Sequence, residues 1–321
     1  MSVLSSTTLQ LRLERKRPLA ENVVSLEFSA SDGTDLPPWE PGAHLELHLP
    51  SGLRRQYSLC GDPATRGTYT VSVLREETGR GGSVEVHDRL EVWDEIESSV
   101  PRNHFSLGEA SDYVLLAGGI GITPIKAMLE ELDRRGASWR LVYGGRSRRS
   151  MAFADELAAS HPGRVTLVPE DEEGRPDLEG LVGSLSPQTH LYCCGPSPML
   201  NAVAQACAEA GADGRLHLER FTAAEDAPDT SGDSAFQVEL RDSGVTLTVA
   251  PDQSILEAVR KVRPDVDYSC AEGYCGTCET GVLEGQPEHR GTLMSPEEHD
   301  EEGTMLICMG RSRSAKLVLE L

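Results

Sequence analysis

The stretch "DYVLLAGGIGITPIKAMLEELDRRG", residues 112–136, decides the architecture. A short apolar run, "DYVLLAGG", reads as a buried strand, and "PIKAMLEELDRRG" has the apolar spacing of a helix. The pattern then recurs. "WRLVYGG" is a second strand, followed by the helical "SMAFADELAAS"; "RVTLVPE" is a third; "THLYCCG" is another, followed by "SPMLNAVAQACAEAG". Strand and helix in alternation indicate a parallel sheet with crossover helices.

Upstream the period changes. "TLQLRL", "NVVSLEF", "AHLELHL" and "TYTVSVL" each alternate apolar and polar residues, as half-buried strands do. Pro and Gly punctuate them at "LPPWEPG", "GDPATRG" and "GRGG". Short strands at such spacing suggest a small barrel. Downstream, "TAAEDAPDTSGDS" (222–234) has no periodicity and reads as a linker. Beyond it lie two strand-like segments ("FQVELR", "VTLTVA"), an amphipathic helix ("SILEAVRKVR"), a cysteine-rich loop and a closing "KLVLEL". The 321 residues suit two or three domains. The expected boundaries are a barrel over 1–108, an α/β domain over 109–221, the linker over 222–234 and a small α+β module over 235–321.

The formal net charge of −22 argues against nucleic-acid or anionic-membrane partners. Acidic residues bunch at 223–233 and in "PEEHDEEG" (296–303), where they could face a basic protein or only confer solubility. No run of eighteen apolar residues occurs, and the N-terminus lacks a signal-peptide core, so a cytoplasmic chain is expected. Eight cysteines in such a chain point to metal binding or redox chemistry rather than disulfides.

Half of those cysteines belong to one pattern. "SCAEGYCGTCETG" (269–281) holds Cys270, Cys275 and Cys278, and Cys308 follows after 29 residues. C-x4-C-x2-C with a distant fourth cysteine is the ligand spacing of a plant-type [2Fe–2S] centre. Gly273 and Gly276 would let the loop turn tightly and bring N–H groups to the sulfurs. Zinc is the main alternative, but structural zinc sites usually pair two short-spaced knuckles, and here there is one. Residues 235–321 resemble the plant-type ferredoxin family, which implies a β-grasp sheet.

The α/β domain carries two glycine turns. In "AGGIGITPI" (117–125), Gly118, Gly119 and Gly121 would let the backbone approach a pyrophosphate, with Thr123 as N-cap and Pro124 as first helical residue. A tight strand–helix turn alone would also explain the glycines. A second turn, "YCCGPSPM" (192–199), sits at another strand end. Together they resemble the nicotinamide domain of the ferredoxin-reductase-like superfamily. The resemblance implies that Thr123 and Cys194 lie near the nicotinamide, with Gly195, Pro196 and Met199 beside it. In "GGRSRRS" (144–150), Arg146, Ser147, Arg148 and Arg149 offer cations and a hydroxyl that suit a 2′-phosphate, and no ribose-reading acid, although NADH stays open.

In the barrel, "RRQYSLCGD" (54–62) contains Arg-x-Tyr-Ser: Arg55, Tyr57 and Ser58. Alone it is a short, weak pattern. Before a nicotinamide domain it resembles the superfamily's flavin signature. There Arg reaches the flavin phosphate, Tyr packs along the ring and Ser bonds near N5. "GRGGSVEVHD" (79–88) offers Arg80, a Gly81–Gly82 nest and Ser83 as a helix cap, and resembles the FMN-phosphate segment of the phthalate dioxygenase reductase branch. FMN is therefore favoured over FAD. Phe221, in "LERFTA", could cover the flavin face that the nicotinamide reaches, or be an interface aromatic.

The order of flavin barrel, nicotinamide domain and C-terminal ferredoxin resembles the phthalate dioxygenase reductase and vanillate demethylase reductase family along nearly the whole chain. The resemblance implies an NAD(P)H-dependent oxidoreductase, active as a monomer, that delivers single electrons to a terminal oxygenase, either Rieske-type or haem-thiolate. Ser58, Thr123, Cys194 and Phe221 would line the reacting centre. A stand-alone diaphorase would need no cluster motif, and a non-enzymatic redox sensor would need no nicotinamide site.

Overall fold

A computed structural model describes residues 8–222, 230 and 232–321. Its contacts divide the chain into two compact units, Met1–Glu219 and Arg220–Leu321.

The first unit opens with β1 (Thr8–Ala20), β2 (Val23–Ala30), β3 (Ala43–His48), β4 (Arg54–Ser58), β5 (Tyr69–Leu74), α1 (Gly82–Arg89), β6 (Glu95–Ser99) and β7 (Arg102–Asn103). The strands form one sheet in the order β4-β3-β6-β1-β2-β5, with β7 on β3. A Leu59–Val71 bridge joins its two ends, so the sheet closes as a barrel. Alternation supplies the interior: Leu11, Leu13, Leu26, Phe28, Leu45 and Leu47 are sealed inside.

One helix of the barrel bears on the site. Lys16 Nζ donates to the carbonyls of Val86, His87 and Leu90 at 3.0, 2.7 and 2.7 Å, which closes the C-terminal end of α1 with a cation. Glu85 of α1 accepts from the Ser51 amide at 2.9 Å and from the Ser51 hydroxyl. The N-terminal end of α1 has no side-chain cap. Ser83, expected to cap it, instead sits inside the first turn, where its Oγ accepts from the Glu76 amide at 3.0 Å. Gly81 takes the cap position in the left-handed conformation at φ 80°.

The same unit continues with β8 (Asp112–Gly118), α2 (Ile122–Arg135), β9 (Ser138–Gly145), α3 (Ala154–Ser160), β10 (Val165–Pro169), α4 (Glu170–Glu173), α5 (Leu178–Gly183), β11 (Thr189–Cys194), α6 (Ser197–Ala210) and β12 (Leu216–Glu219). The five strands are all parallel, in the order β10-β9-β8-β11-β12. β12 escapes the sequence pattern because it is four residues long, half-buried and paired on one side. α2 begins two residues earlier than expected. A 3-10 turn over Gly119–Gly121 feeds it, so Thr123 and Pro124 are its second and third residues, not its cap and first. Barrel and α/β layers share one compact unit for visible reasons. Ala127 of α2 belongs to the barrel core, the Glu21 amide donates to Arg149 O at 2.9 Å, and Arg134 pairs with Asp62 at 3.0 Å.

The second unit comprises β13 (Phe236–Leu240), β14 (Val245–Val249), α7 (Ile255–Arg260), β15 (Glu279–Glu284), β16 (Pro287–Glu288), α8 (Pro296–Glu302), β17 (Thr304–Leu306), β18 (Arg311–Ser312) and β19 (Lys316–Leu319). Its main sheet runs β14-β13-β19-β15-β17, with β13 and β19 parallel and the other pairs antiparallel, and α7 packs on it as in a β-grasp. Reciprocal Ser254–Glu257 and Ser295–Glu298 capping boxes start α7 and α8. Of the expected linker, residues 223–229 and 231 lie outside the described residues. Its end is built into the module: Asp233 accepts two bonds from Arg290 and pairs with Arg311 at 3.3 Å. Among the described residues no helix is long and apolar enough to cross a membrane.

Lys16→Met should remove three charge-assisted bonds at the end of α1 and destabilise the first unit by about 2 kcal/mol. Denaturant titration followed by intrinsic fluorescence checks this, and an unchanged midpoint would deny α1 that anchor.

Candidate functional site

Three sets of side chains gather at strand ends. The first lies between β4 and α1. β4 pairs with β3 so that Ser58 faces His44 and Tyr57 faces Leu45. Arg55 lies across the start of α1: its Nη2 donates to Arg80 O at 3.0 Å, and a Cβ on Gly82 would come within 2.5 Å of its side chain. A guanidinium beside an uncapped helix start, over two glycines, is a donor set of the kind a phosphate needs. Tyr57 is half-buried, and desolvation raises its phenol, so it remains a neutral packing surface. Ser58 is buried, with 5% exposure.

The second set joins the C-terminal ends of β8 and β11, where Ala117 and Cys194 are register partners. A Cβ on Gly121 would sit 2.2 Å from the Cys194 carbonyl oxygen, and one on Gly118 would meet Pro196 and Met199 at 2.7 Å. One on Gly195 would meet Met199 at 2.3 Å. The two turns therefore interlock only because these positions lack side chains. Thr123 is buried and its hydroxyl donates to Ile120 O at 2.9 Å. The Gly119–Gly121 turn touches β5, the strand bridged by Leu59, which brings this set towards Ser58.

Sequence reading missed Glu219. Strand register sets it beside Cys194, whose Sγ donates to Glu219 Oε2 at 3.7 Å. Burial pushes the Glu219 carboxyl up to about 8, with the Cys194 hydrogen bond pulling the other way. Burial and the Glu219 charge together hold the Cys194 thiol well above its ordinary value. A neutral acid against a neutral thiol thus lines the end of the sheet. The available signal was "LERF", an acid at a strand end opposite the C-G-P turn. Phe221 follows two residues later, half-buried, and opens the second unit.

The loop after β9 resolves the basic residues. Ser147 and Ser150 form a capping box for a short 3-10 turn. Arg148 is engaged with Asp155 at 2.7 Å. Arg146 is exposed, and its side chain makes no ion pair or hydrogen bond among the described residues.

The third set is the cysteine loop. Cys270, Cys275, Cys278 and Cys308 are all buried and unpaired by disulfides. Ala271, Gly273 and Gly276 take positive φ (56°, 75° and 75°), which curls the loop inward. The Glu272 amide donates to Cys270 Sγ at 3.3 Å and the Cys270 amide to Cys275 Sγ at 3.4 Å. Shared hydrogen bonds with Cys275 and Cys308 lower the Cys270 thiol, and Cys308 in turn bonds Cys278, so the four sulfurs adjoin in series. Four adjoining thiols met by backbone N–H donors are the donor set an iron–sulfur cluster needs.

Comparison with known proteins follows the same division. Residues 238–312 match the family profile of the 2Fe-2S iron-sulfur cluster binding domain, and residues 115–205 that of the oxidoreductase NAD-binding domain. The chain is 44% identical over 306 residues to phenoxybenzoate dioxygenase subunit beta of Ectopseudomonas oleovorans, covering 94% of each. It is 36% identical to phthalate dioxygenase reductase of Burkholderia cepacia, covering 98% of this chain and 97% of that one. A solved structure of a phthalate dioxygenase reductase superposes with a TM-score of 0.72 at 35% identity, covering 98% of both chains. An intact type IV self-sufficient cytochrome P450 monooxygenase matches with a TM-score of 0.92 at 38% identity, covering 98% of this chain but only 41% of the longer one. With a barrel, a parallel-sheet nicotinamide layer and a cysteine-bearing β-grasp module in that order, the chain is an oxidoreductase that belongs to the phthalate dioxygenase reductase family.

Proposed function

We propose that this protein is the reductase of an oxygenase system, taking electrons from NAD(P)H and passing them one at a time to a terminal oxygenase. The observation that carries this is the joint presence, in one chain, of the interlocked nicotinamide turns and a complete buried four-cysteine loop. When bound, a flavin accepts two electrons together and releases them singly, and a [2Fe–2S] cluster carries one at a time.

The chain's own residues bind and orient. Arg55, Arg80 and the Gly81–Gly82–Ser83 turn would hold a flavin phosphate, with FMN favoured because the segment is similar to the family's FMN-phosphate turn. Tyr57 would pack along the ring and Ser58 would offer its hydroxyl at the ring's reactive edge. Gly118, Gly119 and Gly121, Thr123 and Pro124, and Cys194, Gly195, Pro196 and Met199 would receive the dinucleotide. Thr123, Cys194, Glu219 and Phe221 would border the nicotinamide. A protonated Glu219 adds no charge where NAD(P)+ forms and must leave. Arg146, Ser147 and Arg148 would face the adenosine ribose. Because Arg148 is paired with Asp155, Arg146 and Arg149 are the loop's cations left for a 2′-phosphate, with Arg146 nearer the end of β9. Cys270, Cys275, Cys278 and Cys308 would hold the cluster.

Domain limits at 108, 221 and 234 belong to the same proposal. So do a monomeric state and a cytoplasmic setting, the latter supported by eight buried thiols with no disulfide. The partner is a terminal oxygenase. A Rieske-type enzyme is favoured, since phenoxybenzoate and phthalate dioxygenases name two relatives; the P450 match keeps a haem-thiolate partner as the second reading.

Three outcomes test these assignments. Cys275→Ser should abolish the cluster's visible and EPR signals, while NAD(P)H still bleaches a bound flavin that is recovered as FMN; loss of flavin bleaching as well would break the division of labour. With Glu219 titrating near 8, kcat/KM for NAD(P)H should fall as pH rises through that value. The fall should vanish in Glu219→Gln, and a variant that keeps it would clear Glu219 of the role. Arg146→Ala should raise KM for NADPH about tenfold and leave NADH unchanged; equal effects on both would remove the 2′-phosphate reading.

A further inference from the structure

The cysteine module contains a pair of histidines that hold neither cofactor nor cluster. His289 and His299 stack with ring centroids 4.9 Å apart and planes within 11°. Their side chains are 4% and 1% exposed. Each spends one ring nitrogen on a neighbour. His289 Nε2 lies 3.2 Å from Asp300 Oδ1. His299 Nδ1 lies 3.1 Å from Thr304 Oγ1, and Thr304 itself donates to Glu279 Oε1 at 2.7 Å. The second bond fixes the direction of the first: the hydroxyl's proton points at Glu279, so His299 Nδ1–H is the donor to Thr304. By the same logic His289 Nε2–H donates to the Asp300 carboxylate. The remaining nitrogens, His289 Nδ1 and His299 Nε2, are then bare lone pairs. Both are buried without a hydrogen-bond partner.

Packing alone does not call for this. A phenylalanine pair would fill the space without burying two unmatched polar atoms, which is unfavourable. The stack is instead tied to both sides of the cysteine loop. On one side, Glu279 directly follows Cys278 and reaches His299 through Thr304. On the other, the segment from His289 runs to Gly291, whose Cβ position lies 2.8 Å from Gly273 O, and to Thr292, whose amide donates to Gly273 O at 2.8 Å. Gly273 is one of the loop's positive-φ residues.

An electron that arrives in this module adds one negative charge to a region already ringed by acids. Basic groups enclosed with it become easier to protonate. We propose that the His289–His299 stack takes up a proton when the module receives its electron and returns it when the electron leaves. One electron enters from the NAD(P)H side and one solvent proton binds a bare imidazole nitrogen; both depart together, the electron to the acceptor and the proton to solvent. The groups facing the stack set its limits. Burial and the neighbouring His289 ring keep His299 below its ordinary value, while Glu279, Glu298 and Asp300 pull it up. Mutual repulsion across the stack restricts uptake to one proton. His289 and His299 are thus positioning residues that act on the cluster through Gly273 and Glu279.

The inference rests on the cluster reading of the module. It is tested on the full-length holoprotein by redox titration of the cluster's EPR signal between pH 5.5 and 8.5. The wild-type midpoint should rise as pH falls, by up to about 59 mV per pH unit for one proton per electron. In the His289→Phe/His299→Phe variant it should be flat, with the cluster signal retained. A flat wild-type profile, or a variant that keeps the slope, overturns the inference. Absence of any cluster signal in the wild type would instead overturn the reading beneath it. A second measurement does not depend on the variant folding: infrared redox-difference spectra of wild-type protein carrying 15N-histidine should show an isotope-shifted imidazole band on cluster reduction. No shifted band would also overturn the inference.

Discussion

Gly121 packs on the Cys194 carbonyl so closely that a methyl group there would lie 2.2 Å from the oxygen. Everything at the C-terminal end of the parallel sheet depends on that approach. It locks the turn after β8 to the turn after β11, and Gly118 and Gly195 repeat the requirement against Met199 and Pro196. The same approach holds Cys194 at a strand end, where register delivers Glu219 beside it. Desolvation then makes the pair neutral.

The barrel and the cysteine module solve a related problem, holding a charged group with few charges of their own. At the start of α1 an uncapped helix end and one guanidinium face the same space, and Lys16 closes the opposite end of the helix so that its orientation is settled. In the cysteine loop the donors are amides. Positive φ at Ala271, Gly273 and Gly276 turns the backbone towards the sulfurs, and buried thiols receive N–H bonds instead of water.

Much of this was legible in local sequence. Helix α6 and strands β3, β5, β8, β11 and β13 fall within a residue or two of the expected segments, because each has a clear period and sharp Gly or Pro limits. The ends of helices were less legible. Thr123 and Ser83 have capping chemistry at plausible positions, yet a 3-10 turn and a left-handed Gly81 start those helices and leave both hydroxyls inside the first turn. β12 was invisible, since four half-buried residues carry no periodicity. The end of the expected linker carries contacts that its composition does not announce, because Asp233 is polar but clamped by Arg290 and Arg311.

By itself the sequence determined the class of each module and the donors it offers. Spacing of cysteines, a run of glycines after an apolar strand, and Arg-x-Tyr-Ser are local facts, and the chemistry they permit depends on residue type. Tertiary structure alone decided three things. It merged barrel and α/β layers into one unit by sending Ala127 into the barrel core. It brought Glu219 to Cys194 across strands 25 positions apart. It stacked His289 on His299 with two lone pairs enclosed. Each is a contact between residues distant in the chain. Its chemistry is set by desolvation, and desolvation exists only once the surrounding elements have closed around it.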